Sequence, residues 1–231
     1  AVFAWGRSTS SPCPSTTLDV CIYKWSGPSG GWDNVSATDP TFTGVQNARA
    51  WMSTKGRYVL WKNESALPYS FTLFDTQTGT HTHVPSMTSG YSFWINFDFA
   101  VVGGQPIIFL WASPLTLNDP ATALFKWTSA TGWVQMVNLT GTEDGAAVKT
   151  DGVHVAYEIA SFHSPSDATL PVYRTEVRPV AGGAATILSN DGSFPTMDLS
   201  LVDGVLSYSE RSGDRPTRAW SPELGAVALS P

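Results

Sequence analysis

The hydrophobic residues of this chain occur in short runs that are separated by turn residues. One run recurs about every fifty residues, ends in an aromatic residue and is followed by a Ser and then by a Pro-containing loop. Its five copies are Val2–Trp5, Tyr58–Trp61, Ile108–Trp111, His154–Tyr157 and Leu206–Tyr208. Short aromatic-rich runs bounded by turn signals are typical of β-strands. The pattern therefore indicates a repeat of small β-modules.

A second run follows the first in every module and places polar residues around an aromatic one. Its copies are Ile22–Trp25, Leu73–Thr76, Leu124–Trp127, Val172–Thr175 and, in weaker form, Thr217–Trp220. Alternation with a period of two is expected of a strand that buries one face. A Gly turn then leads to a third strand such as Trp133–Val137, because Gly supplies the positive φ that a tight hairpin needs.

One more strand precedes four of the five aromatic runs. These strands are Ala48–Met52, Phe93–Phe97, Ala146–Lys149 and Thr196–Leu199, and turns such as Asp151-Gly152 and Asp203-Gly204 connect them onward. Four strands per module at this period are the pattern of β-propeller blades. We therefore expect an all-β, five-bladed β-propeller of four-stranded antiparallel sheets. It would form a single domain over residues 1–231, with blades at approximately 1–37, 38–86, 87–139, 140–189 and 190–231.

The stretch Lys149–Tyr157, followed by Val172–Arg174, resembles a TolB/PD40-type propeller blade. The resemblance covers most of the chain in degenerate copies, and it implies a fold without implying an activity. A β-sandwich and a fragment of a larger propeller are the alternative architectures. The first module lacks a preceding inner strand, so it is either three-stranded or completed by the carboxy-terminal residues Ala226–Ser230.

Composition and charge narrow the classes of partner. A net charge of −6 and a pI near 5.0 argue against nucleic acid, which requires clustered Lys and Arg. No apolar stretch is long enough to predict a transmembrane segment. Cys13 and Cys21 flank a Pro/Ser/Thr stretch in a chain of low charge, which favours a disulfide between them. These features predict a secreted protein, either extracellular or periplasmic.

Long loops usually carry function, so we expect the ligand at the face where the loops between blades gather. The Trp residues at repeat positions, namely Trp5, Trp25, Trp61, Trp111 and Trp127, are expected in the core. Aromatic rings at less regular positions remain available to stack on sugars, with carboxylates as hydrogen-bond acceptors. The expected ligand-binding residues are Trp32, Trp51, Trp94, Trp133, Tyr91, Asp39 and Asp191. The sequence thus predicts a lectin-like module for a glycan or glycoprotein and leaves the oligomeric state open.

Two other functions stay open. A glycoside hydrolase needs two facing carboxylates, one of them with a raised pKa, and the candidates are Asp98, Asp198, Glu143 and Asp144. No nucleophile or glycosidase motif accompanies them, so we favour a protein without enzymatic activity. A protein-interaction platform is the other alternative, because a fold does not fix a function.

Metal binding has one local signal. His81 and His83 are two residues apart on a predicted strand and therefore share a face, which is half of a zinc or copper site. No third ligand is evident, so we expect no metal there. Calcium in the acidic loops is the one cofactor candidate, although no spaced Asp-x-Asp motif supports it.

Overall fold

The computed structural model describes residues 2–7, 20–35, 52–63, 70–87, 91–114, 122–139, 141–162, 171–192, 199–209 and 217–229. These residues form β-strands joined by turns, and none of them lies in a helix. The same part of the chain accordingly offers no apolar helix of membrane-spanning length. All paired strands run antiparallel, in one three-stranded and four four-stranded sheets.

Residues 1–89 form one compact unit with two of these sheets. The first sheet has the order β1 (Val2–Arg7), β2 (Val20–Trp25) and β3 (Trp32–Asn34). The second has the order β4 (Met52–Lys55), β5 (Tyr58–Asn63), β6 (Ser70–Asp75) and β7 (Thr80–Val84). The two sheets share a core in which Ile22 and Val35 pack with Val59, Trp61 and Phe74.

Cys21 is fully buried in this same core. The described part of the chain contains no free cysteine. Cys13 lies outside the described residues, so the Cys13–Cys21 disulfide stays a prediction.

Residues 90–231 form a second compact unit with three sheets, each ordered as in the sequence. The third sheet consists of β8 (Tyr91–Val102), β9 (Gln105–Pro114), β10 (Ala123–Thr128) and β11 (Gly132–Asn138). The fourth consists of β12 (Glu143–Thr150), β13 (His154–Ser161), β14 (Val172–Pro179) and β15 (Thr186–Gly192). The fifth consists of β16 (Ser200–Val202), β17 (Val205–Ser209), β18 (Thr217–Ser221) and β19 (Gly225–Ala228).

In this second unit the first strands of successive sheets lie next to each other, since β12 contacts both β8 and β16. Side chains from the third and fourth sheets share one core, in which the Trp111 ring meets Tyr157 edge-on at a centroid distance of 5.8 Å. A second core joins the fourth and fifth sheets through residues that include Val177 and Tyr208. Sheets that pack face to face, with their first strands side by side, are arranged as propeller blades are.

The hairpin between β16 and β17 shows how the sequence sets a turn. Asp203 has a φ of 49° and Gly204 a φ of 78°, so both central residues are left-handed. A two-residue turn of this hand matches the twist of the flanking strands, and Asp-Gly is a favoured pair for it. The hairpin predicted at Asp203-Gly204 is thus confirmed.

The grouping of strands in fours excludes the β-sandwich for the described residues. The carboxy-terminal strand β19 pairs with β18, with Ala226 opposite Trp220, so these residues complete their own sheet rather than the first one. The inner strand of the last sheet begins at Ser200, beyond the predicted Thr196–Leu199. The five-blade ring and the single domain over residues 1–231 stay predictions.

Candidate functional site

Among the Trp, Tyr and Phe side chains that the structure describes, the most exposed is Trp32, at the tip of the β2–β3 hairpin. Trp32 is 48% exposed and lies opposite Trp25 in the strand register. The two indole rings are 5.2 Å apart between centroids and tilted by 52°. Trp25, expected in the core from its repeat position, is only partly buried. We call residues Trp25–Asp33 the aromatic hairpin.

The turn of the aromatic hairpin is held by its own backbone. The Ser26 amide donates to the Gly31 carbonyl at 2.9 Å, and the Gly31 amide donates to the Gly27 carbonyl at 3.0 Å. Gly27 and Gly31 have φ values of 101° and 69°, which side chains with a Cβ rarely adopt. A turn closed in this way fixes the backbone that carries Trp32, so little backbone entropy is lost when the ring becomes covered.

The residue after Trp32 carries a carboxylate, on the opposite face of β3. The Ser26 hydroxyl donates a hydrogen bond to Oδ2 of Asp33, and Asp33 is exposed. Asp33 is opposite Lys24 in the register. The aromatic hairpin therefore carries an exposed apolar ring and an exposed carboxylate on successive residues of β3.

The structure does not gather the other predicted ligand-binding residues at one place. Trp133 is half-buried opposite Trp127, at the tight-turn end of the third sheet. Tyr91 begins β8 at the other end of that sheet and packs edge-on against Phe125 at 5.0 Å. The structure does not describe Trp51, Asp39 or the side chains of Trp94 and Asp191.

Trp32 and Trp133 thus lie on short hairpins and not on the long inter-blade loops where we expected the ligand. Most of those long loops, including Asp39, fall outside the described residues. Trp32 and Trp133 each directly follow a Gly, which is typical of a hairpin turn. The position of both residues on hairpins could therefore have been predicted from the sequence.

The described carboxylates of the glycosidase hypothesis each have a separate partner. Asp98 is buried and its Oδ2 accepts a hydrogen bond from the Thr150 amide at 2.9 Å. Oε1 of Glu143 pairs with Nη1 of Arg174 at 2.5 Å. Oδ1 of Asp144 accepts from the Thr122 hydroxyl at 2.6 Å. The fourth candidate, Asp198, lies outside the described residues.

Arg174 organises a charged network that we did not predict. Its Nε donates to Oε1 of Glu176 at 2.8 Å, and its Nη1 donates to Glu143. The Tyr157 hydroxyl donates to the other oxygen of Glu176, also at 2.8 Å. Arg174 and Glu176 are two residues apart on β14 and so share one face of the strand, which is the signal that the sequence offered.

The environment of this network raises two pKa values. Burial raises the pKa of Tyr157, and the adjacent Glu176 carboxylate raises it further. Burial alone would lower the pKa of Arg174, but hydrogen bonds to Glu176 and Glu143 outweigh that effect and raise it. All the charged groups are thus paired, so the network stabilises the fourth sheet rather than offering a free acid or base.

Asp151 is a second polar centre, on the tight-turn side of the same sheet. Its Oδ1 accepts from the amides of Val153 at 2.8 Å and His154 at 2.6 Å, and its Oδ2 accepts from the amide of Gly204 at 2.8 Å. Burial would raise the pKa of Asp151, but these three donors and the nearby His154 lower it below its usual value. We predicted only a turn here from Asp151-Gly152, and the structure shows that its carboxylate also joins the fourth sheet to the fifth.

The histidine pair does share a face of β7, but each imidazole has another neighbour. Nε2 of His81 lies 3.2 Å from the Val35 carbonyl oxygen, and its ring packs on Phe74 at 4.8 Å. Nδ1 of His83 lies 3.3 Å from the Thr72 hydroxyl. Across the described ranges, no cluster of three His, Cys, Asp or Glu side chains is placed to hold a metal ion.

Comparison with known proteins concerns the fold. No protein-family model matches the chain, and no curated protein sequence matches it. Among solved structures, TolB from Acinetobacter baumannii is 14% identical with a TM-score of 0.50, over 89% of this chain and 47% of TolB. A prolyl endopeptidase is 13% identical with a TM-score of 0.55, over 94% of this chain and 32% of that one.

An oligogalacturonate lyase from Vibrio parahaemolyticus is 9% identical with a TM-score of 0.50, over all of this chain and 60% of the lyase. The chain therefore spans less than two thirds of the length of each of these three proteins. At such low identity the likeness concerns the fold alone. Together with the four-stranded sheets, it shows that this chain has a β-propeller fold with TolB-like blades.

Proposed function

We propose that this chain is a secreted binding module that recognises a carbohydrate, free or on a glycoprotein, through the aromatic hairpin. The observation that carries the proposal is the exposed Trp32 ring, held on a hydrogen-bonded turn beside Trp25 and Asp33. An aromatic face excludes water from the apolar face of a sugar, while a carboxylate accepts hydrogen bonds from its hydroxyl groups.

The arrangement favours binding over turnover. A glycosidase requires two carboxylates that face the same bond, whereas Asp98, Glu143 and Asp144 are each bound to a different partner. The export that the low charge and the Cys13–Cys21 pair predict is consistent with a glycan ligand outside the cell.

The test compares Trp32→Ala with a matched control, Leu224→Ala. Leu224 is 74% exposed at the tip of β18–β19, which is the corresponding hairpin of the fifth sheet. A glycan array would first identify a ligand, and calorimetry would then give dissociation constants for the three proteins. Covering the exposed half of an indole contributes roughly 2 kcal/mol, so Trp32→Ala should weaken binding about thirtyfold.

Leu224→Ala should bind as the unsubstituted chain does. The proposal is refuted if no glycan binds. It is also refuted if Trp32→Ala binds the identified glycan as tightly as Leu224→Ala does. Ligand binding should also alter the tryptophan emission of the unsubstituted chain more than that of Trp32→Ala, since an indole that becomes covered leaves water.

A further inference from the structure

Two rows of paired side chains run outward across the facing sides of the third and fourth sheets. The rows are Phe109, Lys126 and Val134 in the third sheet, and Tyr157, Glu176 and Ile187 in the fourth. The first residue of each row is fully buried, whereas Val134 is 43% and Ile187 58% exposed at the other end. The sheets therefore pack closely at their second strands and leave a cleft between their outer strands, β11 and β15. We call this space the outer cleft.

Two cationic side chains bridge the outer cleft in opposite directions. Nζ of Lys126, on β10, donates to the carbonyl oxygen of Val180, which follows β14, at 3.1 Å. Nη1 of Arg178, on β14, donates to the carbonyl oxygen of Met136, on β11, also at 3.1 Å. Both cationic side chains are half-buried. They therefore lie between the two sheets, at the base of the outer cleft.

The two exposed aliphatic side chains line the same cleft. Val134 is paired with Lys126, and directly paired residues of neighbouring strands share one side of the sheet. Ile187 is paired with Glu176, whose carboxylate accepts a hydrogen bond from the Tyr157 hydroxyl. Tyr157 belongs to the core that the third and fourth sheets share. Ile187 is therefore on the side of the fourth sheet that faces the third.

The two cations at the base of the cleft have no carboxylate partner in the described part of the chain. Their hydrogen bonds go to backbone carbonyls, whereas Arg174, on the same side of β14, pairs with Glu143 and Glu176. The oxygens of Glu176 already accept from Arg174 and from a tyrosine hydroxyl. Nε of Arg178 is buried and has no acceptor among the described residues. Because a half-buried charge without a counter-ion costs free energy, a carboxylate that enters the cleft would be bound favourably.

These features indicate which occupant fits the outer cleft. Its aliphatic walls favour an apolar side chain, and its two uncompensated cations favour carboxylates beside that side chain. The cleft runs along β11 and β15, which are seven residues long each, so its length suits an extended segment of polypeptide. A second copy of the chain bound about a two-fold axis would instead bring the same cations face to face.

We propose that the outer cleft is a docking site for a protein partner, and that it binds an extended segment in which Asp or Glu residues flank aliphatic residues. This site is separate from the aromatic hairpin and goes beyond glycan binding. It uses different residues on a different unit, so either proposal can fail without the other.

The test uses three synthetic peptides of equal length as probes of the full chain. One has a Leu/Val core flanked by Glu, the second has the same core flanked by Lys, and the third has a Ser/Gly core flanked by Glu. Amide spectra by NMR would follow each titration. The Glu-flanked aliphatic peptide should shift the amides of residues 132–137, 176–180 and 186–188 in a saturable way. It should bind about tenfold or more tightly than the other two, and its affinity should fall as salt is added.

Four variants locate the binding. Ile187→Asp should weaken the Glu-flanked aliphatic peptide about tenfold or more, because it removes an apolar wall and adds a like charge. Val227→Asp is the matched control, because Val227 is 40% exposed on β19, the outer strand of the fifth sheet. Lys126→Met/Arg178→Met should remove the preference for Glu over Lys flanks. Lys126→Arg/Arg178→Lys keeps both charges and should retain that preference. Lys126→Met alone replaces the Met double variant if the latter loses its native spectrum.

Several results would overturn the proposal. Shifts spread over the whole chain, equal affinity for the three peptides, or equal losses in Ile187→Asp and Val227→Asp would each contradict a defined site. An unchanged preference for Glu flanks in the Met variant would contradict the role of the cations. Sedimentation that shows a dimer dissociated by Ile187→Asp would make a second copy the occupant. Binding of heparin that the Met variant abolishes, without binding of the Glu-flanked aliphatic peptide, would make a polyanion the occupant.

Discussion

The carboxylate of Asp151 should be one of the most stabilising polar groups of the second unit, and Asp151→Asn tests this. The side chain is 6% exposed and accepts three backbone hydrogen bonds, two within its own turn and one from Gly204 of the next sheet. In Asp151→Asn the amide oxygen keeps the role of one carboxylate oxygen. The amide nitrogen, itself a donor, takes the place of the other carboxylate oxygen. One backbone N–H therefore loses its hydrogen-bond acceptor.

The expected loss follows from these bonds. A hydrogen bond to a charged group contributes about 1.5–3 kcal/mol, against about 1 kcal/mol for a neutral one. Losing the bond to Gly204 and weakening those to Val153 and His154 should lower the free energy of unfolding by about 2–4 kcal/mol. For a chain of this length that corresponds to roughly 5–12 °C in Tm.

The assay is urea unfolding followed by tryptophan fluorescence, with Asp203→Asn as the control. Asp203 is an exposed carboxylate with a positive φ that Asn also tolerates, so its variant should lie within about 0.5 kcal/mol of the unsubstituted chain. Hydrogen exchange gives a local measurement, because the Gly204 amide should exchange faster in Asp151→Asn and not in Asp203→Asn.

The pH dependence has a definite sign. The folded pKa of Asp151 is lowered, so its carboxylate stabilises the fold fully above the unfolded pKa of about 4. That stabilisation is lost as the pH falls through the folded pKa. The gap in unfolding free energy between the unsubstituted chain and Asp151→Asn should therefore be constant from about pH 5 to 7 and should shrink below about pH 4. A gap no larger than that of Asp203→Asn, or one that widens in acid, would falsify the assignment.

Two further predictions concern the cores. Gly145→Ala should lower the free energy of unfolding in urea by about 3 kcal/mol, because the new Cβ would lie 2.1 Å from Cδ2 of Trp111. The comparison variant is Gly225→Ala. It should lower that free energy by only about 1–2 kcal/mol, because Gly225 has a φ of 67° but open space around it. Tyr157→Phe should cost about 1–3 kcal/mol, because Glu176 loses a buried donor at 2.8 Å. Since burial and Glu176 raise the pKa of Tyr157, its removal should leave the ultraviolet titration of the folded chain unchanged up to about pH 10.

Much of the fold was predictable because it follows from local patterns. The strand over Leu124–Trp127 and the Asp-Gly turn at residue 203 each depend on a few residues, and both are present in the structure. The prediction that this strand buries only one face was wrong, because Leu124, Phe125 and Trp127 are all buried. The inner strand of the last module was harder to place. It is only three residues long, from Ser200 to Val202, and so short a strand is fixed by pairing with Val205–Ser207 more than by its own residues.

The candidate sites were less predictable because they depend on exposure and on contacts between distant residues. Nothing in the spacing of Asp151 shows that its carboxylate reaches Gly204, 53 residues away. Arg174 likewise meets Glu143 only because β12, β13 and β14 pair in a particular register. The repeat pattern also predicted wrongly that Trp25 lies in the core, because the residues around Trp25 differ from those around Trp127.

The corresponding hairpins of three sheets differ in how far their aromatic rings are exposed. Trp25, Trp127 and Trp220 occupy corresponding positions before their turns, and opposite them lie Trp32, Trp133 and Ala226. Trp220 is 7% exposed and meets His154 of the neighbouring sheet edge-on at 5.6 Å, and Trp127 is 5% exposed.

In these two sheets the corresponding ring is therefore part of a core, and replacing it would first reduce stability. Only in the first sheet does the corresponding pair keep a largely exposed ring, that of Trp32. A ring that contributes little to a core can be substituted without unfolding the chain. A loss of binding in Trp32→Ala at unchanged stability would therefore separate recognition from folding. The same experiment at Trp127 would not separate them, because Trp127 is part of a core.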